Sequence, residues 1–147
     1  PRTGPWRQED RVNQPQTDRA VPTTIYVCVT CRAEGEPALP LEARAGQRLL
    51  GALQEAVGPD TSVELVGVEC LSVCKRPCAV SFAAPGKWTY VYGDLPPETA
   101  APVVIEAARL YGATADGLIP WKQRPAEIKT GVVARVPPSP RPEGQAA

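Results

Sequence analysis

The sequence predicts a two-layer α/β sandwich, and three observations support that prediction. The chain has 147 residues, of which 43% are hydrophobic and 22% charged, so it is large enough for one domain with a real core. Short β-branched segments alternate with segments of helical periodicity in the order β-α-β-β-β-α. Five cysteines fall in two tight groups close to predicted strand ends, which indicates a functional site at the edge of the sheet where those strands end.

The first half of the chain predicts a strand, a loop and a helix. Residues 24–29 are β-branched and aromatic, which is typical of a strand. Residues 32–43 are polar and contain two prolines, so we expect a loop there. Apolar residues then recur at helical spacing over residues 44–57, and Gly58-Pro59 ends that helix.

The middle of the chain predicts three further strands. Residues 62–68 form the second strand and deliver the chain directly to Cys70. Residues 78–82 and 88–92 form the third and fourth strands, and the turn residues 84–87 between them predict a hairpin.

A second helix closes the predicted domain. Thr99 is a suitable N-cap, Pro102 is tolerated in the first turn, and Gly112 is a natural C-terminal stop. A βαβ unit followed by a hairpin and a helix matches a thioredoxin-like two-layer sandwich with a four-stranded mixed sheet.

The two ends of the chain differ from this core. Nine of the 18 prolines lie before Thr23 or after Trp121. We expect residues 1–22 to be disordered, residues 23–115 to form the domain, and residues 137–147 to form a disordered tail. Residues 116–136 are predicted to pack on the domain or to add an edge strand, with Trp121 anchoring them.

Composition narrows the possible partners. The 16 basic and 16 acidic residues balance, which gives no general reason to expect a nucleic acid or a membrane as partner. No apolar stretch approaches the roughly 20 residues that a transmembrane helix requires, and the N-terminus lacks the apolar core of a signal peptide. We therefore expect a cytoplasmic protein, in which thiols stay reduced.

The cysteines are the chemical signal. Cys28 and Cys31 form Cys-x2-Cys, and Cys70, Cys74 and Cys78 form Cys-x3-Cys-x3-Cys. Clustered thiolates of this kind indicate a metal or iron–sulfur site. The chain has no His, which excludes imidazole catalysis and mixed Cys/His ligation. Asp and Glu show no paired constellation for acid–base catalysis.

Several segments resemble a known family. Residues 66–74, Pro77 and residues 87–90 resemble the thioredoxin-like [2Fe-2S] ferredoxins and the related subunit of respiratory complex I, and that resemblance covers residues 23–113. More closely, the chain resembles an uncharacterised bacterial family of predicted metal-binding proteins of this ferredoxin type. The matching segments are residues 26–31, 70–72, 76–78, 84–90, 93–95 and 119–121.

The resemblance implies a [2Fe-2S] cluster and a carrier of single electrons, not an enzyme with its own substrate. By position Cys70 and Cys74 carry over best as ligands, followed by Cys28. Cys31 is the expected fourth ligand and Cys78 the alternative; Cys31 is preferred because Cys78 begins a predicted strand and can face the core. The implied partner is an unknown redox protein, and a homodimer is plausible because related ferredoxins dimerise.

Other interpretations of the cysteines stay open at this stage. Four thiolates can hold Zn²⁺ in a structural or metal-handling module, including a metallochaperone. Cys28 and Cys31 are also compatible with a thiol–disulfide redox centre. The first thiol of such a centre should lie at a helix N-terminus, where the helix dipole lowers its pKa, whereas here the helix is predicted to start about a dozen residues after Cys31.

Overall fold

The protein is described by a computed structural model that covers residues 21–140. The predicted disorder of residues 1–20 and 141–147 therefore lies outside the described residues. In chain order the helices and strands are β1 (Thr23–Cys28), α1 (Ala45–Val57), β2 (Val63–Val68), β3 (Val80–Ala83), β4 (Thr89–Tyr92), α2 (Ala101–Ala113), α3 (Ala126–Thr130) and β5 (Val132–Val136). Short 3₁₀ turns precede α1 at Leu41–Ala43 and α3 at Trp121–Gln123.

The strands form one mixed sheet in the order β2-β1-β3-β4-β5. β1 and β2 run parallel, as a βαβ unit requires, and the other neighbours are antiparallel. The α/β fold class is confirmed, but the prediction of four strands is wrong. The valine-rich end of the extension supplies β5, which hydrogen-bonds to the edge that β4 would otherwise leave unpaired.

The core lies between the sheet and the helices. Ile25, Val27 and Phe82 are fully buried, whereas the intervening Thr24 and Tyr26 are partly exposed, so the two faces of the sheet differ. Helices α1 and α2 pack against each other and both contact β1, which makes them one layer. Burial of large side chains on that side is the main stabilising contribution to the fold.

An aromatic cluster extends this core toward β4. The Phe82 ring meets Tyr92 edge-on at 5.0 Å between centroids and Tyr111 of α2 at 5.7 Å. Tyr90 stacks on Tyr92 at 5.6 Å, and the Tyr111 hydroxyl donates a hydrogen bond to the carbonyl of Trp88 at 2.5 Å. These contacts join α2 to the β3–β4 hairpin and stabilise the fold, because aromatic pairs add stability beyond their buried area.

Two predicted boundaries are corrected by the structure. Thr99 does not cap α2: the N-cap position is Ala100 and no side chain bonds there, because residues 96–100 already form a turn in which the Pro96 carbonyl accepts from two amides. Cys78 does not begin β3, which starts at Val80. Cys78 instead exchanges both backbone hydrogen bonds with Leu95.

The extension is anchored by residues other than the expected one. Ile119 and Ile128 are buried, whereas the side chain of Trp121 remains 60% exposed. Arg124 lies between Trp121 and the buried ring of Tyr90. The contact with the core that was expected of the Trp121 indole is therefore made by Arg124. Within residues 21–140, no helix has the length and apolar character needed to cross a membrane.

Candidate metal centre

The topology brings the two cysteine groups to one edge of the sheet. Cys28 ends β1, and because β2 runs parallel to β1 its C-terminal end lies at the same edge, where Cys70 follows two residues after Val68. β3 runs antiparallel to β1, so its beginning also lies there and places Cys78 beside the same edge. The amide of Cys28 donates to the carbonyl of Ala79 at 3.1 Å, which fixes these two segments together.

The five thiols divide into a buried and an exposed set. Cys28, Cys31 and Cys78 are buried, with at most 5% of their surface exposed, whereas Cys70 and Cys74 are exposed. All five are free thiols rather than disulfides. Three sulfur atoms therefore lie inside the protein, and the other two lie at its surface in the loop after β2.

The start of α1 packs directly on the Cys28–Cys31 loop. The amide of Gly46 donates to the carbonyl of Cys31 at 3.1 Å. A Cβ atom at Gly46 would lie only 2.0 Å from the carbonyl oxygen of Cys28 and 3.0 Å from backbone atoms of Val29. Only glycine allows this approach, so residue 46 sets the position of the first cysteine pair.

A few polar contacts join the two cysteine loops. The hydroxyl of Thr30 donates a hydrogen bond to the carbonyl of Glu69, and the Cys28 sulfur lies 3.7 Å from that same carbonyl oxygen. The amide of Ser72 donates to the Cys70 sulfur at 3.1 Å. Ser72 has a φ of 60°, a conformation that non-glycine residues seldom adopt and that here turns its amide toward the thiol.

The thiols are close enough to perturb one another. The pKa of Cys31 is raised well above its usual range, first by a hydrogen bond with Cys78 and then by burial. The pKa of Cys78 is lowered, chiefly by the same hydrogen bond. The pKa of Cys74 is raised, with the nearby charge of Cys70 as the largest cause and Cys31 and Cys28 contributing. All five predicted cysteines therefore share one neighbourhood.

The donor set suits a metal in number and kind, although it is not assembled into a coordination shell. Four thiolates satisfy either a [2Fe-2S] cluster or tetrahedral Zn²⁺, and five are present. Among residues 21–140, no three Cys, Asp or Glu side chains already form a metal-binding group. Cys70 and Cys74 on the exposed loop and the buried thiols together provide the sulfur donors that such a site needs.

Charged residues around the site are mostly paired. Glu36, only 8% exposed, forms an ion pair with Arg48 at 2.8 Å and accepts hydrogen bonds from the amides of Ala33 and Ala45. The hydrogen bond from Arg48 is the largest cause that lowers the pKa of Glu36. Arg76 pairs with Asp94 at 2.7 Å. Of the two basic residues between Cys74 and Cys78, Lys75 is the exposed one.

Sequence reasoning missed three residues that shape this site. Gly46 carried one signal, because glycine is unfavourable near the start of a helix unless close packing requires it. Glu36 carried no signal, since its partners Arg48 and Ala45 become neighbours only when α1 packs. Arg76 carried no signal of its pairing, because the groups that engage its guanidinium, Asp94 and the carbonyls of Thr130 and Val132, lie far away in the sequence.

The fold and the cysteine cluster define a class: a small α/β protein with a thioredoxin-like architecture and a thiol-rich edge. Over residues 25–138 the chain matches the family described as "Protein of unknown function (DUF1636)". That match covers most of the chain, so the protein belongs to this family. No curated protein matches the chain.

Solved structures support the fold. The chain is similar to the structure of a thioredoxin-like [2Fe-2S] ferredoxin from Aquifex aeolicus, with a TM-score of 0.50 and 19% identity over 85% of this chain and 98% of that one. A crystal structure of the wild-type ferredoxin of this kind from the same organism gives a TM-score of 0.49 and 20% identity, over 77% and 97%. The first of these confirms the thioredoxin-like fold, and at this identity it shows the fold alone.

Proposed function

We propose that this protein binds a [2Fe-2S] cluster and carries single electrons to a protein partner. The observation that carries the proposal is the gathering of five free thiols at one edge of a thioredoxin-like sheet. The similar solved structures are described as ferredoxins with a [2Fe-2S] cluster, which supports the same cofactor here. The proposal covers the cofactor and the carrier role; the fold and the family stand without it.

Cys28, Cys31, Cys70 and Cys74 are the proposed ligands, and Cys78 is the alternative fourth. Cys28 is fixed by β1 and Cys31 by the packing of α1, so these two form the rigid half of the site. Cys70 and Cys74 are exposed and form the other half. Cys31 and Cys78 each shift the pKa of the other, which puts the second candidate near the first.

When bound, such a cluster supplies one-electron exchange without a substrate pocket. The chain's own residues would shield it and hold its charge. Leu71 and Val73 are half-buried next to the exposed thiols and limit the access of water. The Ser72 amide is already directed at the Cys70 sulfur, and hydrogen bonds to thiolates are among the means by which proteins tune a cluster.

The thiol–disulfide alternative for Cys28 and Cys31 loses support. A reactive dithiol needs a first thiol with a lowered pKa at a helix N-terminus. α1 begins at Ala45, well after Cys31, so no helix N-terminus lies directly after the first thiol of this pair, Cys28. Zinc bound by the same four thiolates remains the second candidate, favoured by their tetrahedral donor number.

The remaining parts of the proposal concern context. We propose a carrier rather than an enzyme, a redox protein rather than a nucleic acid or membrane as partner, and the cytoplasm as the compartment, where thiols are available for iron. Homodimer formation is proposed with them and is tested by the mass of the purified protein in solution.

The test is the visible absorption spectrum of protein purified without oxygen, with iron, sulfide and zinc measured on the same sample. A brown protein with about two irons and two sulfides per chain is expected, because one such cluster uses four thiolates. A colourless protein with one zinc per chain would replace the cluster with the zinc alternative. A colourless protein that stays free of metal after attempted cluster reconstitution would overturn both.

A further inference from the structure

The C-terminal extension presents aromatic rings and positive charges together. We define the Trp121 surface as Trp121, Arg124 and Lys129 with the neighbouring pair Trp88 and Arg135. We propose that this surface binds an acidic segment of a partner protein that also carries apolar side chains. The proposal does not depend on which metal the cysteines bind.

The centre of this surface is an exposed indole held in place by a buried anchor. The Trp121 ring is 60% exposed, with the Arg124 guanidinium 5.4 Å and the Lys129 ammonium 5.2 Å from its centroid. Arg124 is fixed in turn, because it donates to the carbonyl of Ile119 at 2.8 Å and lies 5.8 Å from the ring centroid of Tyr90. An exposed aromatic ring that is pre-positioned loses little entropy on binding.

A second cation–aromatic pair lies on the adjoining strands. The Arg135 guanidinium of β5 lies 4.8 Å from the Trp88 ring centroid, and Arg135 is opposite Tyr90 in the β4–β5 register. Val133 and Val136 of the same strand are 38% and 51% exposed. The extension therefore adds apolar area beside its cations, a composition enriched at protein interfaces.

The positive charges of this surface lack carboxylate partners within the chain as described. Arg48, Arg76 and Arg109 each form an ion pair with Asp or Glu. Across residues 21–140, no such pair involves Lys122, Arg124, Lys129 or Arg135. Lys129 and Arg124 both lie close to the Trp121 ring, so their like charges repel and a carboxylate bound nearby would relieve that repulsion.

Charge and shape together favour an acidic protein segment over a nucleic acid. The whole chain has a formal net charge of zero, so no extended positive field would attract a phosphate backbone. The surface also exposes apolar area at Trp121, Val133 and Val136, which suits apolar side chains of a protein better than a phosphate backbone.

The surface is also connected to the cysteine edge. Arg76, between Cys74 and Cys78, donates to the carbonyl of Thr130 at 3.1 Å and to that of Val132 at 3.3 Å. These bonds fix the junction between α3 and β5 to the cysteine loop. The segment that carries the Trp121 surface is therefore joined to the cysteine loop at the start of β5.

The probe for this proposal is a short synthetic peptide in which Glu and Leu alternate, titrated into the full-length protein. Binding is followed by ¹⁵N–¹H NMR, and we expect shifts of the Trp121 indole and of amides in residues 121–136. Trp121→Ala should weaken binding about thirtyfold, as the loss of a central aromatic anchor does. Lys129→Glu should weaken it about tenfold, because it replaces attraction by repulsion.

Matched controls separate this surface from other positive regions. Arg32→Glu changes the same charge at an exposed position on the cysteine side and should leave the affinity within about twofold. A peptide in which Gln replaces every Glu should bind at least about tenfold more weakly. The proposal is overturned if the acidic peptide causes no shifts at millimolar concentration, if Arg32→Glu weakens binding as much as Lys129→Glu, or if a single-stranded oligonucleotide of equal charge binds more tightly.

Discussion

The two ends of the β1–β2 pair are built in different ways. At the end where both strands begin, the amide of Thr23 donates to the carbonyl of Ser62, and both the amide and the hydroxyl of Ser62 donate to Asp60. Arg109 of α2 completes this group with an ion pair to Asp60 at 3.0 Å. At the opposite end, where the strands finish, the cysteines lie with few polar contacts between the two loops.

The comparison separates a structural end from a functional one. The carboxylate of Asp60 has its hydrogen-bonding capacity used by the chain itself, so that end has little to offer a ligand. Thiols are weak hydrogen-bonding groups, and those of Cys70 and Cys74 remain exposed. Sulfur atoms at the cysteine end therefore remain available to coordinate a metal, because the fold does not use them as hydrogen-bond partners to the same extent.

The largest expected effect is the loss of the cofactor from cysteine variants. Cys28→Ser, Cys70→Ser and Cys74→Ser should each abolish cluster content, because each variant keeps only three of the four proposed ligands and Cys78 is the alternative to Cys31 alone. Cys31→Ser should do the same, and Cys78→Ser should retain the cluster. Iron and sulfide per chain measure the outcome, and circular dichroism verifies that each variant folds.

Comparing the cluster content of Cys31→Ser with that of Cys78→Ser identifies the fourth ligand. If Cys78→Ser loses the cluster while Cys31→Ser keeps it, Cys78 is the fourth ligand and Cys31 is not a ligand. If all five variants keep their full iron content, the thiols do not hold the cofactor and the ligand assignment fails.

A smaller effect is expected from crowding the contact between α1 and the cysteine loop. Gly46→Ala should lower the free energy of unfolding by about 1–3 kcal/mol, because the new methyl group meets backbone atoms that cannot rotate away. Gly51→Ala is the matched control, since nothing lies within 4 Å of a Cβ there, and it should raise stability by roughly 0.5–1 kcal/mol. Urea unfolding measures both, and equal effects of the two variants would disprove a special role for Gly46.

The smallest expected effect belongs to the structural end and depends on pH. Hydrogen bonds from the hydroxyl and amide of Ser62, followed by Arg109, lower the pKa of Asp60 from 3.8 to about 2. A carboxyl with a lowered pKa in the folded state stabilises the fold above its unfolded pKa. That contribution is present above about pH 4 and is lost as the pH falls through 2.

Asp60→Asn should therefore remove part of the acid sensitivity of the protein. The difference in unfolding free energy between pH 5 and pH 2 should be smaller in Asp60→Asn than in the wild type. Glu64→Gln, an exposed carboxylate on β2, serves as the control. Urea midpoints across this range measure the difference, and parallel curves for wild type and Asp60→Asn would contradict the assignment.

Local sequence determined the order and type of most elements. β-branched runs predict strands and apolar residues at helical spacing predict helices wherever one face is buried, which holds for β1, β2, α1 and α2. The cysteine spacing and the absence of His identified the only clustered chemistry. β5 could not be assigned with the same certainty, because its valines remain largely exposed and it exists as a strand through pairing with the edge of β4.

Only the tertiary structure decided how those pieces meet. The spacing Cys-x3-Cys-x3-Cys gave no sign that Cys70 and Cys74 would be exposed while Cys78 is buried beside Cys31, because burial depends on what packs over each residue. The exposure of Trp121 and the engagement of Arg76 by the extension likewise follow from contacts between residues far apart in sequence. Sequence fixes which groups are available and their local conformation, whereas packing across the sheet decides which of them meet and which remain free to bind a partner.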